Sequence, residues 1–135
     1  MQKLLLILIL INLSFANKDS NLTIFNSYTK AIDIAKEQKK PIFILFSKKN
    51  CQWCSRLKAD IYKNNELKKR LQKEFVILFL DKNSDKYPSI YKIDAVPNIF
   101  LVSEDEKIYT NIIGYHKNMR DYIKWLNYVK IEREE

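Results

Sequence analysis

The 135-residue chain has little glycine, histidine and cysteine, and each shortage excludes a class of protein. Its single glycine, Gly114, cannot supply the motifs G-x-G-x-x-G or G-x-x-x-x-G-K-[ST], so no standard phosphate-binding loop is present. Because His116 is the only histidine, a zinc site with two histidine ligands is also excluded. The two cysteines therefore become the first candidates for the chemistry of this chain.

The charge balance is basic, with 24 Lys and Arg against 16 Asp and Glu and a net charge of +8. A basic excess can indicate nucleic acid or anionic membrane as a partner. Here the lysines are spread along the chain without any block of five or six like charges. We therefore predict a solvated basic surface and no nucleic-acid partner. The 47% hydrophobic content is sufficient for one packed core in a chain of this length.

The N-terminal residues have the pattern of a secretory signal peptide. Met1–Lys3 is positively charged, Leu4–Leu13 is apolar, and Ser14–Ala16 offers small residues for cleavage. We predict that residues 1–16 are removed and that residues 17–135 form a single domain. An uncleaved N-terminal tether is the alternative, but as a helix the apolar run would reach only about 15 Å, so stable membrane insertion is not expected. Export would place the cysteines where disulfides persist.

Helical and strand patterns alternate along the rest of the chain. Continuous apolar runs indicate strands that are covered on both faces, and apolar residues at helical spacing indicate amphipathic helices. The predicted elements are a lead-in or short edge strand within 17–26, a helix from Tyr28 to Lys40, a strand at 42–46, a helix from about Cys51 that is broken and capped again at Asn64-Asn65, a strand at 75–80, a loop with a short helix within 81–91, strands at 98–102 and 107–113, and a terminal helix from about Met119.

This order of elements predicts an α/β fold. Two long buried strands joined through a helix lie parallel by a right-handed crossover. The last two strands, joined by a short acidic turn, add an antiparallel pair at the edge. We therefore expect a mixed sheet of four to five strands, parallel at its centre and antiparallel at one edge, with helices on both faces.

The sequence Cys51-Gln52-Trp53-Cys54 follows a buried strand directly and begins a helix. The positive end of a helix dipole favours a thiolate at Cys51, and basic neighbours lower a thiol pKa further. Those neighbours are Lys48, Lys49, Arg56 and Lys58. Cys51 would attack a disulfide of a partner, and Cys54 would then attack the mixed disulfide and release the partner.

Two cysteines at this spacing can also serve other functions. A structural disulfide that closes so short a loop constrains the unfolded chain little. A zinc site within the chain lacks two of its four ligands, so we predict no metal site. A soft-metal carrier needs only two thiolates, which leaves Cu(I) transport or delivery open as an alternative. A Cys–His protease would use His116, but nothing else in the sequence supports a triad.

Three segments carry a resemblance to a known family. They are Lys40–Phe46 with the following C-x-x-C, Tyr91–Asn98, and Ile113–Gly114 before the terminal helix. Over about residues 27–130 the chain resembles thioredoxin-fold proteins, and more narrowly the exported bacterial members that exchange thiols and disulfides in the periplasm. The resemblance implies a thioredoxin-like fold and a thiol–disulfide oxidoreductase. It implies no cofactor beyond the redox-active disulfide of the C-x-x-C.

The resemblance also assigns roles by position. Cys51 would be the exposed nucleophile and Cys54 the buried resolving cysteine. Pro97 would be a cis proline beside the sulfurs, and the backbone of Val96 would pair with an extended substrate segment. Trp53 would be a partly exposed contact surface for the substrate.

Departures from the family pattern leave the direction of electron flow open. Leu45 stands where thioredoxin has a buried aspartate, and Gln52-Trp53 matches neither the Gly-Pro of reductases nor the Pro-His of strong oxidases. We predict a periplasmic, monomeric reductase of disulfide-containing exported proteins, with a disulfide-donating oxidase as the alternative. Because no nicotinamide or flavin motif is present, a separate thiol donor must recharge the pair, and a membrane-embedded donor is one candidate.

Overall fold

A computed structural model describes residues 21–135. The predicted signal peptide, residues 1–16, and the start of the predicted domain lie outside the described residues. None of the helices within 21–135 has both the length and the hydropathy needed to cross a membrane. The elements are β1 (Ile24–Phe25), α1 (Tyr28–Gln38), β2 (Ile42–Ser47), α2 (Gln52–Lys63), α3 (Asn65–Glu74), β3 (Val76–Asp81), β4 (Asn98–Val102), β5 (Ile108–Ile113) and α4 (Met119–Glu134).

The five strands form one mixed sheet in the order β1-β3-β2-β4-β5. Strands β1, β3 and β2 run parallel, whereas β4 pairs antiparallel with both β2 and β5. The predicted sheet, parallel at its centre with an antiparallel edge pair, is thus confirmed. The register pairs Phe46 with Asn98 and Asn98 with Ile113. The ends of β2, β3 and β5 therefore meet the start of β4 at one edge of the sheet, the edge that is formed by the ends of the strands.

Helices cover both faces of the sheet, as predicted. Side chains alternate along β2, so Phe43 and Leu45 face the layer of α2, α3 and α4, while Ile42, Ile44 and Phe46 face α1. All five are at most 1% exposed. Continuous apolar strands are expected where both faces are covered, and this burial is the physical reason for the run at 42–46.

Asn64 breaks and restarts the helical segment after β2, as the sequence predicts. It is the C-cap of α2 and the N-cap of α3, and its side-chain Oδ1 accepts a hydrogen bond from the N–H of Leu67 at 2.9 Å. An asparagine in this position satisfies a helix N–H that has no partner within the helix. The break turns the chain so that α2 and α3 pack on the same face.

The prediction of a short helix within 81–91 is wrong, because the structure has only turns and bends there. The carboxylate of Asp81 accepts hydrogen bonds from the N–H groups of Asn83 at 2.8 Å and Ser84 at 3.2 Å. An aspartate that binds the following N–H groups competes with helix formation. Tyr87 adds a bond from its hydroxyl to the carbonyl of Lys82 at 2.7 Å, which fixes the segment as a loop.

Candidate active site

The two cysteines lie where the chain leaves β2 and enters α2. Asn50 has a positive φ of 58°, which turns the chain, and Cys51 is the N-cap of α2 with extended backbone angles. The Sγ of Cys51 accepts a hydrogen bond from the N–H of Cys54 at 3.2 Å. The first sulfur is therefore held at the helix terminus, where unpaired N–H groups and the helix dipole stabilise negative charge.

Cys51 and Cys54 form a disulfide with their Cα atoms 5.2 Å apart. The two residues differ in exposure, because Cys51 is half-buried whereas Cys54 is only 2% exposed. Leu45 is fully buried on the side of the sheet that α2 covers. The second sulfur is thus less accessible to solvent than the first.

The Val96–Pro97 peptide bond is cis. Pro97 is buried and directly precedes β4, and Val96 is half-buried. The carbonyl of Pro97 accepts a hydrogen bond from the N–H of Gly114 at 2.8 Å, which ties this bend to the end of β5. Both residues lie at the sheet edge from which the C-x-x-C turn leaves.

Trp53 and Tyr115 form an aromatic pair at the site. Trp53 is 55% exposed, and its ring stacks on that of Tyr115 with centroids 5.2 Å apart and planes 24° apart. The hydroxyl of Tyr115 donates a hydrogen bond to Oδ2 of Asp60 at 2.5 Å, and Nε of Arg56 donates to the same oxygen at 3.3 Å. The bond from Tyr115, supported by Arg56, lowers the pKa of Asp60, and the same bond raises the pKa of Tyr115.

Lys58 lies on the opposite side of α2 from this aromatic pair. Its ammonium donates a hydrogen bond to Oγ of Ser47 at 3.2 Å and lies 5.4 Å from the ring centroid of Phe79. Ser47 is only 7% exposed and ends β2. The sheet edge therefore carries an exposed aromatic surface on one side of the helix and a positive charge held close to the sheet on the other.

The structure brings the predicted site residues to one edge of the sheet. Cys51 caps α2, Trp53 and Cys54 lie in its first turn, and the Val96–Pro97 bend lies at the start of β4, which pairs with β2. The roles assigned to these residues by the resemblance stay predictions, since position alone does not test them. Trp53 is exposed enough to contact a partner.

Two side chains at this edge, Tyr115 and Lys58, have contacts that the sequence does not predict. A signal for Tyr115 was present, because it follows Gly114, and the antiparallel pairing of the last two strands returns that glycine to the bend before β4. The sequence predicts Lys58 only as one of the basic neighbours of Cys51. Its inward direction depends on the contact with Ser47, which sequence spacing does not reveal.

The contacts of His116 are with the first turn of α4. Its Nδ1 lies 3.9 Å from Oδ2 of Asp121, and its backbone N–H donates to the hydroxyl of Tyr122 at 2.8 Å. Within residues 21–135, no group of three or more His, Cys, Asp or Glu side chains is arranged to hold a metal ion. A carrier that holds Cu(I) with two thiolates alone is a different arrangement, which this observation does not test.

A mixed sheet with a disulfide at the first turn of the helix after β2 defines the class. The chain has the thioredoxin-like α/β fold and the C-x-x-C disulfide of a thiol–disulfide oxidoreductase. It belongs to the family described as the Thioredoxin-like domain, which matches residues 28–130. Proteins of this family exchange disulfides with substrate proteins and with electron donors.

Individual relatives are distant. Anterior gradient protein 3 of Mus musculus is 26% identical over 99 residues, which are 73% of this chain and 59% of that protein. This chain thus spans less than two thirds of the length of that relative. A DsbH oxidoreductase has a TM-score of 0.69 at 20% identity, with 88% of this chain and 93% of that chain covered. A thioredoxin from Thermus thermophilus also has a TM-score of 0.69, at 15% identity, with 82% and 88% covered. At these identities the structural likeness shows the fold.

Proposed function

We propose that the protein is a reductase of the bacterial cell envelope that reduces disulfides in exported proteins. The observation that carries this proposal is the asymmetry of the disulfide. Cys51 is half-buried at a helix terminus, whereas Cys54 is 2% exposed one turn further on. A partner can approach the first sulfur, and the second remains protected until a mixed disulfide forms.

The reaction follows from this asymmetry. The thiolate of Cys51 attacks one sulfur of the partner disulfide, which forms a mixed disulfide and releases the other partner sulfur as a thiolate. Cys54 then attacks the Sγ of Cys51, so the intramolecular disulfide forms and the partner leaves fully reduced. Two electrons have passed to the partner, and both of its thiolates take up protons. A separate dithiol donor returns the pair to its reduced form by the reverse sequence.

Partner recognition is assigned to the surface around Cys51. The exposed ring of Trp53, supported by Tyr115, offers an apolar contact beside the reactive sulfur. The bend at Val96 lies at an edge where an extended segment can add strand-like hydrogen bonds. Recognition through backbone pairing and one apolar contact suits many exported proteins rather than a single sequence.

The reductase direction is supported by the residues between the cysteines. Gln52 and Trp53 are both uncharged, and neither adds a positive charge that would stabilise the thiolate of Cys51. A pair whose reduced form is strongly stabilised acts as an oxidant, so the lack of a further contribution beyond the helix terminus and the basic neighbours favours donating electrons. The envelope location rests on the signal-peptide pattern of residues 1–16.

The direction is tested first by measuring the reduction potential of the Cys51–Cys54 pair in a glutathione buffer. A value near about −270 mV supports a reductase, and a value near about −120 mV overturns it in favour of an oxidase. If the pair does not equilibrate with glutathione at all, both the reductase and the oxidase function are contradicted. In that case the metal-carrier function is examined by Cu(I) stoichiometry, which should approach one ion per chain.

Partners are tested with the Cys54→Ala variant, which should accumulate mixed disulfides through Cys51 in an extract of exported proteins. The matched control carries Cys51→Ala as well and should capture nothing. If both variants capture the same proteins, binding does not proceed through the sulfur and exchange is contradicted. Fractionation of cells that express the full chain tests the location separately, because recovery in the cytoplasm would overturn the envelope proposal.

A further inference from the structure

The surroundings of Cys54 raise a chemical problem for the resolving step. Burial in apolar surroundings disfavours the charged form of a thiol, yet the thiolate is the attacking species. Leu45 on β2 is 0% exposed and pairs with Phe79 on β3, and both face the helix layer that contains α2. The strands below this helix therefore offer Cys54 no acidic or basic group at these positions.

Lys58 is placed to supply a positive charge that can stabilise the thiolate of Cys54. It follows Cys54 by four residues in α2, and residues at this spacing lie next to each other on one helix surface. Its ammonium is directed toward the sheet, where it binds Oγ of Ser47 at 3.2 Å and lies 5.4 Å from the centroid of Phe79. Phe79 is half-buried while most of β3 is buried, so the lysine covers its ring.

The other charged groups near this position are already engaged or turned to solvent. Lys58 lines an open groove of about 280 Å³ together with Lys48, Lys49 and Asp81. The carboxylate of Asp81 accepts backbone N–H groups of its own loop, and the bond from Asn83 lowers its pKa. Lys48 and Lys49 are exposed. On the outer surface of α2, Arg56, Asp60 and Tyr115 bind one another.

Within the described residues Lys58 forms no salt bridge, so its charge is not cancelled by a paired carboxylate.

We propose that Lys58 stabilises the thiolate of Cys54 during the resolving step. This inference rests on the proposed function, because it concerns the second half of that exchange. Cys54 gives its proton to the partner thiolate released in the first half. Its own thiolate then attacks Sγ of Cys51 while Lys58 keeps its proton. Lys58 acts through Cys54 and does not contact the partner.

The charge effect is measured directly in a Cys51→Ser background, where Cys54 is the only thiol. Ultraviolet absorbance of the thiolate gives its titration midpoint, and Lys58→Met should raise that midpoint by about one pH unit. Lys63→Met is the matched control, because Lys63 is an exposed lysine on the same helix, and it should leave the midpoint unchanged. Lys58→Arg should restore most of the wild-type value. No protein substrate is needed, so this result is independent of the proposed direction and location.

A second measurement separates charge from packing. Release of glutathione from its mixed disulfide with Cys51 should be about threefold slower in Lys58→Met at neutral pH, because a tenfold loss of thiolate is partly offset by higher nucleophilicity. At pH values above the titration midpoints of both proteins, Lys58→Met should release glutathione faster than the wild type. A merely structural role for Lys58 would slow the reaction at every pH and would overturn the proposal. So would an unchanged midpoint in Lys58→Met, or an equal shift in Lys63→Met.

A third variant covers the case in which Lys58→Met does not fold. Ser47→Ala removes the acceptor that holds the ammonium inward but keeps the charge on the chain. It should raise the midpoint of Cys54 in the same direction and by less than the lysine replacement. A midpoint that falls or stays unchanged in Ser47→Ala would contradict the assigned position of the charge.

Discussion

The two sulfurs of the disulfide are three residues apart and have different surroundings. Cys51 caps a helix, is half-buried, and has the exposed Trp53 beside it. Cys54 is 2% exposed and lies on the side of α2 that faces the sheet, where Leu45 is fully buried. One turn of helix thus separates a sulfur that a partner can reach from one that it cannot.

This difference shows how one short motif can supply two chemical roles. The spacing of the cysteines permits the bond, but the helix cap and the sheet below determine which sulfur meets a partner. The N–H of Cys54 donates to the Sγ of Cys51, so the buried residue also helps to hold the exposed one. The largest changes are therefore expected from substitutions that make the two environments alike.

The largest expected effect comes from placing an acid on the buried side. Leu45→Asp would bury an unpaired carboxylate at a position that is 0% exposed, which should lower the free energy of unfolding by about 3 kcal/mol or more. The measurement is urea denaturation of the oxidised protein at neutral pH. Leu45→Met, which nearly conserves volume, is the control and should cost less than about 1.5 kcal/mol. Equal stability of the two variants would show that the region below Cys54 is not apolar.

An intermediate effect is expected on the exposed side. Trp53→Ala removes the ring beside Cys51 and should raise KM for a disulfide peptide with apolar side chains by about five- to tenfold. The KM for glutathione disulfide should change little, because that substrate is too small to need the contact. Trp125→Ala is the control, since Trp125 is 36% exposed on α4 and makes an edge-to-face contact with Tyr128 instead. If Trp125→Ala raises the peptide KM equally, the contact surface is not at Trp53.

Much of the fold could be predicted because a strand that is buried on both faces has a continuous apolar sequence. The runs that form β2 and β3 are apolar without interruption, and only a strand covered on both faces requires this. Asn64 was recognisable because an asparagine cap acts locally, on an N–H three residues away. The position of Cys51 at a helix start followed from the same kind of local reasoning.

The remaining features depend on which way individual side chains turn. The sequence wrongly predicts a short helix in the loop after β3, because the competing hydrogen bonds of the Asp81 side chain are not visible in the hydrophobic pattern. Tyr115 reaches Asp60 across 55 residues of sequence, and Lys58 reaches Ser47 across 11. Such contacts follow from strand register and helix placement, which spacing along one chain does not specify.

The smallest expected effect concerns the support of Trp53. Tyr115→Phe keeps the stacked ring but removes the hydrogen bond from the hydroxyl to Asp60. Exposed hydrogen bonds to charged groups contribute little to stability. The KM for the peptide should therefore rise about twofold or less. The pKa of Asp60 is lowered in the folded protein by that bond. Its stabilising contribution is therefore present above the ordinary aspartate pKa and is lost as the pH falls through the lowered value.

The pH dependence decides whether this bond acts as assigned. The difference in unfolding free energy between wild type and Tyr115→Phe should be largest at neutral pH and should decrease in acid as Asp60 gains a proton. Asp60→Asn provides the control, because its difference from the double variant Asp60→Asn/Tyr115→Phe should not vary through the same acid range. If the wild-type difference is also constant with pH, Tyr115 supports Trp53 by ring packing alone. The exposed side of the site would then owe its shape to stacking, without a contribution from the carboxylate.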